Sequence, residues 1–214
     1  IKAVYSYLSN NNDSTFTIGI IDDLTKLSLK DEFFDISQNF YEMLIYGYAS
    51  DGMVSASKDI IKIIGDNTKA YVQGYFEYDS KKSGGLTKSH LRFGNDEIRA
   101  TYYVNNPSVV VCTNENYLKK YKMLDNIKPN GIFILNTSSD KDAVNMLFTL
   151  HDKQIIQERN IKLYIIDANH ISFENELGNK INMIMTTAIF KVANIIPFEF
   201  AIEELKKSIT AILN

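Results

Sequence analysis

The sequence predicts an α/β protein, a three-layer α/β/α domain in which helices cover both faces of a mostly parallel, Rossmann-like sheet. From Glu42 onward, short apolar runs alternate with segments in which apolar residues recur at helical spacing. Several of these runs, such as 43–47 and 131–135, are apolar at almost every position. Strands of that kind are buried on both faces, which is typical of a parallel sheet sandwiched by helices.

The predicted elements alternate along the chain. Gly65 is expected to end the first helix as a left-handed cap. Residues 138–140 cap a helix that runs toward Thr149, and Pro197 lies at the first turn of the last helix. Strands are predicted at 43–47, 70–76, 108–112, 131–136 and 161–167, with a further extended region at 90–103 that is interrupted at 94–96. The other helices are predicted at 54–64, 115–121, 152–158, 181–194 and 197–213.

The first 40 residues follow a different pattern. A turn at 10–13 precedes a predicted strand at 15–21, and the remainder is polar enough for a loop, a short strand and a linker. We therefore expect 1–40 to be the C-terminal tail of a preceding domain and 41–214 to be a separate α/β domain. Because the sequence opens on Ile1 without a signal peptide, we expect a piece of a larger, cytoplasmic protein, and an organellar location of that parent is left open.

Composition excludes several classes of function. The net charge of −3 and the pI near 5.7 argue against nucleic acid as the main partner. No apolar run approaches the roughly 20 residues of a membrane span. The single cysteine, Cys112, excludes a disulfide framework or a cysteine-ligated cluster within the chain, and we expect a buried strand thiol there. The three histidines, His90, His151 and His170, lack metal-ligand spacing.

Two loops carry residues suited to an anionic ligand. Residues 47–54 join a strand to a helix and resemble a dinucleotide fingerprint with Ala in place of the middle Gly, although such turns also occur for packing reasons. The helix that follows offers free N–H groups and a positive dipole end. Residues 79–85 combine two lysines, two serines and two glycines, which suits phosphate groups or a solvated turn. Asn136 and Asn182 are either ligand contacts or helix caps.

Several segments together resemble a known family. They are 60–68, 73–76, 78–85, 89–94, 179–185 and 197–199. With them the chain resembles the γ-type, third domain of pyruvate:ferredoxin oxidoreductase, which also occurs in the fused pyruvate:NADP⁺ oxidoreductases of some protists. Residues 16–23 are similar to the end of the second domain of that family.

The resemblance implies a function for the parent enzyme. That family decarboxylates pyruvate oxidatively on thiamine diphosphate, passes electrons through iron–sulfur clusters, and transfers the acetyl unit to coenzyme A. It implies that thiamine diphosphate, Mg and [4Fe-4S] clusters lie in other domains, and that the isolated fragment is inactive. The implied partners are other domains of the same polypeptide, a second copy of the full enzyme, and ferredoxin, flavodoxin or a fused NADP reductase.

The resemblance also implies that this domain binds coenzyme A and contains no catalytic residue. Lys82 would contact the phosphates and Asn182 would add a polar contact. The residues implied to line the ligand are Ser50, Asp51, Gly52, Met53 and Val54.

The chain departs from the family pattern at some of these positions. Met53, Ser55 and Ser57 stand where the family usually has Thr, Gly and Asn, and Thr113 stands where His is commoner. The substitutions at Met53, Ser55 and Ser57 favour an alternative, a degenerate γ-type module with a structural or docking role in a fused reductase such as a sulfite reductase flavoprotein. A free-standing nicotinamide or flavin oxidoreductase is a third hypothesis, but it lacks an identifiable acidic partner at the end of the second strand.

Overall fold

A computed structural model describes residues 1–10, 15–30, 40–48, 50–79, 85–178 and 180–213. The chain divides into two compact units, Ile1–Gln38 and Asn39–Asn214. The first unit contains helix α1 (Lys2–Ser9) and the short parallel strands β1 (Thr17–Ile18) and β2 (Ser28–Leu29). The strand predicted at 15–21 is therefore only two residues long.

The second unit alternates strands and helices, as the sequence predicts. Its strands are β3 (Tyr41–Tyr48), β4 (Tyr71–Tyr78), β5 (Leu86–Gly94), β6 (Val109–Cys112), β7 (Ile132–Asn136) and β8 (Lys162–Ile166). Its helices are α2 (Met53–Asn67), α3 (Lys141–Leu147), α4 (Leu150–Glu158), α5 (Ala168–Glu174), α6 (Asn182–Ala193) and α7 (Phe198–Leu213), with a 3₁₀ turn at Glu115–Tyr117.

These strands form a sheet in the order β4-β5-β3-β6-β7-β8. Strands β3, β6, β7 and β8 run parallel to one another, and β5 pairs antiparallel with both β3 and β4. The prediction of a mostly parallel sheet is confirmed. Strand β5 is the exception, because it runs opposite to the other five strands and pairs antiparallel with both of its neighbours.

Apolar side chains on the two faces of the sheet form two separate cores. Ile45, Val111 and Ile134 pack on one face with helices α2, α6 and α7. Val110 and Phe133 point to the opposite face, where the segment 117–127 and helices α3 and α4 cover them. Because both faces are covered, the unit has three layers, as the apolar strands predict.

The structure corrects three predictions about helices. Gly65 does not end α2, because the helix continues to Asn67 and Gly65 is not in the left-handed region. A Cβ at Gly65 would lie 2.9 Å from Val72 Cγ2, so the missing side chain lets β4 approach the helix. The helix predicted at 115–121 is only the 3₁₀ turn Glu115–Tyr117. Helix α5, which the sequence pattern did not predict, follows β8 directly.

Cys112 is fully buried in β6, as expected, and burial raises the pKa of its thiol to about 12. Within the described residues, every helix is too short or too polar to cross a membrane.

Candidate functional site

A polar cleft of about 340 Å³ opens at the carboxyl ends of β3, β6 and β7. The chain leaves β3 toward α2 on one face of the sheet and leaves β6 toward the segment 117–127 on the other face. This divergence is a topological switch point, where open α/β sheets form ligand crevices. The cleft is lined by Tyr48, Ser50, Asp51, Thr113, Asn114, Glu115, Asn116, Asn136, Thr137, Ser138, Asn169 and Ile181.

The carboxylate of Asp51 organises the loop between β3 and α2. Its Oδ2 accepts hydrogen bonds from the Tyr48 backbone N–H at 2.6 Å and from the Thr113 hydroxyl at 2.7 Å. Its Oδ1 accepts one from the Met53 N–H at 2.9 Å, at the start of α2. Burial raises the pKa of Asp51, and these hydrogen bonds oppose that rise by stabilising the charged form. The helix N-terminus that we expected to face a ligand anion therefore already has the carboxylate of Asp51 beside it.

Two glycines of this loop allow close packing. Gly52 caps α2 in the left-handed conformation, with φ of 79°, and a Cβ there would lie 3.0 Å from Asn182 Cβ. A Cβ at Gly47 would lie 2.7 Å from the hydroxyl of Thr87 on β5. At both positions a side chain would come too close to another residue of the domain. This supports the interpretation that the glycines are present for packing.

The structure separates the predicted ligand-lining residues into two groups. Ser50 and Asp51 line the cleft. Gly52 and Val54 are half-buried in the first turn of α2. Met53 is 1% exposed, and its side chain belongs to the core between α2 and the sheet. Its backbone N–H, rather than its side chain, therefore takes part in the loop.

Asn182, Ser55 and Ser57 are not among the described residues that line the cleft. Asn182 begins α6, as predicted, and its side chain packs against Gly52. Of the positions where the sequence departs from the family pattern, Ser55 is exposed on the first turn of α2. Ser57 is buried and donates a 2.7 Å hydrogen bond to the Met53 carbonyl. Lys82 lies outside the described residues.

The lysine-containing loop departs from the same edge of the sheet. Tyr48, the last residue of β3, is in register with Leu86, and Tyr78 is in register with Thr87. The N–H of Asp79 donates a 2.9 Å hydrogen bond to the Leu86 carbonyl and closes the base of that loop. The Leu86 end of the loop 79–85 therefore lies beside the carboxyl end of β3, and the Tyr78 end lies one strand further along the same edge of the sheet.

Most of the lining residues were not singled out from the sequence. The sequence signal that could have indicated them is the position of polar residues just after apolar strands. Four lining residues have this position after β6 or β7, namely Asn114, Asn116, Thr137 and Ser138. The buried side chain of Asn136 was considered, and it bridges two elements. Its Nδ2 donates to the Thr113 carbonyl at 2.9 Å, and its Oδ1 accepts from the Ala168 N–H at 2.9 Å.

Glu115 is a second carboxylate in the cleft. One of its oxygens, Oε2, accepts hydrogen bonds from the hydroxyls of Thr137 and Ser139. Among the described residues that line the cleft, none is basic, and the remaining polar groups are hydroxyls and amides. The arrangement is therefore suited to binding a hydroxyl-, amine- or amide-bearing group by hydrogen bonds.

The fold and the cleft define an open-sheet α/β protein with a ligand-binding crevice at its switch point. A family model described as pyruvate ferredoxin/flavodoxin oxidoreductase matches residues 42–214. A pyruvate:ferredoxin oxidoreductase from Moorella thermoacetica is 44% identical over 212 residues, covering 98% of this chain and 18% of that protein. The chain belongs to the pyruvate ferredoxin/flavodoxin oxidoreductase family, as the sequence resemblance predicted.

Two further relatives agree with this assignment. A pyruvate dehydrogenase (NADP⁺) from Cryptosporidium parvum is 40% identical over 206 residues, which is 94% of this chain and 11% of that protein. The crystal structure of the pyruvate oxidoreductase subunit PORC from Thermotoga maritima has 26% identity and a TM-score of 0.64, and the match covers 80% of this chain and 86% of that chain. The chain thus spans less than a fifth of the length of the curated relatives described here. Their names do not favour the alternative of a docking module in a sulfite reductase flavoprotein.

Proposed function

We propose that this chain is the coenzyme A-binding part of a larger pyruvate oxidoreductase. The parent enzyme converts pyruvate and coenzyme A into acetyl-CoA and CO₂ and passes the electrons to ferredoxin, flavodoxin or NADP⁺. Residues 41–214 form the coenzyme A-binding domain and pack against the thiamine diphosphate domains. Residues 1–40 are the end of a preceding domain. The parent enzyme is a cytoplasmic homodimer.

One structural relationship carries this proposal. The cleft at the switch point and both ends of the loop 79–85 lie at the same edge of the sheet, and the Leu86 end of the loop is paired with Tyr48. A hydrogen-bonding crevice beside a loop that contains lysines suits an extended ligand with a neutral part and a phosphorylated part. Coenzyme A has this composition and is the acetyl acceptor that the family resemblance implies.

The redox chemistry belongs to other parts of the parent enzyme in this proposal. The chain has one cysteine, and that thiol is buried and donates a hydrogen bond to the Asn114 carbonyl. Among the described residues, no group of three His, Cys, Asp or Glu side chains is arranged to hold a metal ion. These residues do not fit a [4Fe-4S] cluster or the Mg of thiamine diphosphate, so we assign both to other domains.

We assign different roles in coenzyme A binding to the individual residues. Ser50 contacts the ligand directly, and Asp51 shapes the loop around it. Lys82 pairs with the phosphates. The remaining residues that we assign to coenzyme A binding are Gly52, Met53, Val54 and Asn182.

Calorimetric titration of the 214-residue chain with coenzyme A tests the proposal. We expect one binding site, and we expect Lys82→Ala to weaken binding roughly tenfold or more because it removes a charge-assisted contact. Lys206→Ala on the exposed face of α7 is the matched control and should leave the affinity unchanged. Absence of binding to the unmodified chain, or equal effects of the two variants, would contradict the proposed role.

A further inference from the structure

We propose that the cleft at the carboxyl ends of β3, β6 and β7 holds an uncharged, hydrogen-bonding part of the ligand and leaves its phosphates outside. The inference rests on the proposed function, since the ligand is coenzyme A. Coenzyme A has a charged pyrophosphate and 3′-phosphate and two neutral parts, the adenine base and the pantetheine arm. The inference therefore specifies how the ligand is oriented in the site.

The charge of the cleft is the first argument. Asp51 and Glu115 both line it, and none of its described lining residues is basic. At the positive end of α2, the Met53 N–H already donates to Asp51, so this group is engaged within the protein. A phosphate placed between these two carboxylates would meet like charge in a partly desolvated site, where such repulsion is strong.

The unused hydrogen-bonding groups are the second argument. Within the described part of the chain, the side chains of Ser50, Ser138 and Asn169 make no hydrogen bond of their own, although all three line the cleft. Glu115 uses Oε2 for Thr137 and Ser139, which leaves Oε1 as an acceptor. Hydroxyls, amides and one free carboxylate oxygen match a neutral group that both donates and accepts.

The size of the cleft is the third argument. Its volume of about 340 Å³ lies near the lower end of the range of roughly 300–1,000 Å³ for small-molecule sites. A cleft of this size takes one end of coenzyme A rather than the whole molecule. The adenine base and the pantetheine arm share the required chemistry, and experiment can distinguish them.

The test is a competition titration on the 214-residue chain. Adenosine, pantetheine and inorganic pyrophosphate are each titrated against bound coenzyme A, first in the unmodified chain and then in Glu115→Gln. We expect adenosine or pantetheine to compete, and the competitor identifies which neutral part occupies the cleft. In Glu115→Gln the affinity for that competitor should fall roughly tenfold, because a hydrogen bond to a charged acceptor is lost. The affinity for pyrophosphate should change by less than about twofold.

A control variant separates this effect from local disruption. Thr137→Val removes a hydrogen-bond donor to Glu115 Oε2 but keeps the charge of Glu115. It should therefore reduce the affinity for the neutral competitor less than Glu115→Gln does. If pyrophosphate and coenzyme A instead bind severalfold more tightly to Glu115→Gln, the phosphates lie beside Glu115 and the inference is wrong. It is also wrong if coenzyme A binds but neither neutral compound competes. Failure of coenzyme A itself to bind rejects the proposed function and, with it, the inference.

Discussion

The hydroxyl of Thr113 donates a 2.7 Å hydrogen bond to Oδ2 of Asp51, across the carboxyl ends of β6 and β3. Both residues are buried, with 5% and 6% of their surface exposed. The bond joins the two strand ends between which the chain diverges to opposite faces of the sheet. The hydroxyl of Thr113 therefore links these two strand ends at the base of the cleft.

Removing this bond should destabilise the domain measurably. Thr113→Val keeps the shape of the side chain but leaves Asp51 with one donor fewer, so we expect a loss of about 1–3 kcal/mol in the free energy of unfolding. Urea denaturation measures the loss. Thr101→Val, at an exposed position, is the control and should stay within about 0.5 kcal/mol of the unmodified chain. Equal effects of the two changes would show that the bridge contributes nothing.

Gly52 should tolerate alanine poorly for two separable reasons. Its φ of 79° costs a residue with a side chain about 1–2 kcal/mol, and a Cβ would also meet Asn182 at 3.0 Å. Gly178→Ala is the matched control, because Gly178 has φ of 64° but open space around its Cβ position. We expect Gly52→Ala to lower the unfolding free energy more than Gly178→Ala does. Combining Gly52→Ala with Asn182→Gly, which removes Asn182 Cβ as well as its amide, should cost less in urea denaturation than the sum of the two single changes. A strictly additive loss would argue against the contact.

The buried pair of Arg92 and Glu42 should behave as a unit. Arg92 is 1% exposed, and it donates to Glu42 Oε1 at 2.8 Å and to Gln73 Oε1 at 2.9 Å. Arg92→Met leaves a buried carboxylate without its guanidinium, so we expect a loss of about 3–5 kcal/mol in unfolding free energy.

A double variant tests whether the buried carboxylate causes that loss. Arg92→Met combined with Glu42→Leu should be more stable than Arg92→Met alone, because no buried carboxylate remains, and Lys128, the other cation near Glu42, is partly exposed to water. Lys207→Met, in a pair where Lys207 is 70% exposed, should change stability far less than Arg92→Met, because water screens an exposed ion pair. The explanation fails if the second substitution adds to the damage of the first in thermal or urea unfolding.

His90 should make stability depend on pH. Its ring is 4% exposed, Nδ1 accepts from the Val104 N–H at 3.2 Å, and Nε2 lies 2.5 Å from Glu77 Oε1. Burial lowers the pKa of His90, while Glu77 opposes that shift. As the pH falls below the usual value of 6.5, the unfolded chain binds a proton that the folded chain resists, so stability decreases toward the lowered pKa.

Unfolding free energies between pH 7.5 and 5.5 measure this effect. His90→Gln should reduce the loss of stability on acidification relative to the unmodified chain. His170→Gln, which replaces an exposed histidine, should retain it. Identical pH slopes for all three chains would exclude His90 as the source.

Local pattern was enough to predict most elements of the second unit. The apolar runs at 43–47, 108–112 and 131–136 are strands β3, β6 and β7, because a strand buried on both faces needs apolar residues throughout. Asp140 caps α3 as predicted, with hydrogen bonds from the N–H groups of Asp142 and Ala143. The prediction that Gly65 ends α2 was wrong. Gly65 lies within the helix, and its missing side chain leaves room for Val72 of β4.

Patterns within short segments are sufficient to predict the layered α/β architecture, the burial of Cys112 and the family. The construction of the cleft depends instead on contacts between distant segments. Asp51 is engaged by Tyr48, Met53 and Thr113, and Glu115 becomes a lining residue because β6 lies beside β3 in the sheet. Strand order and register bring these distant residues together, and sequence spacing contains no information about which strands become neighbours.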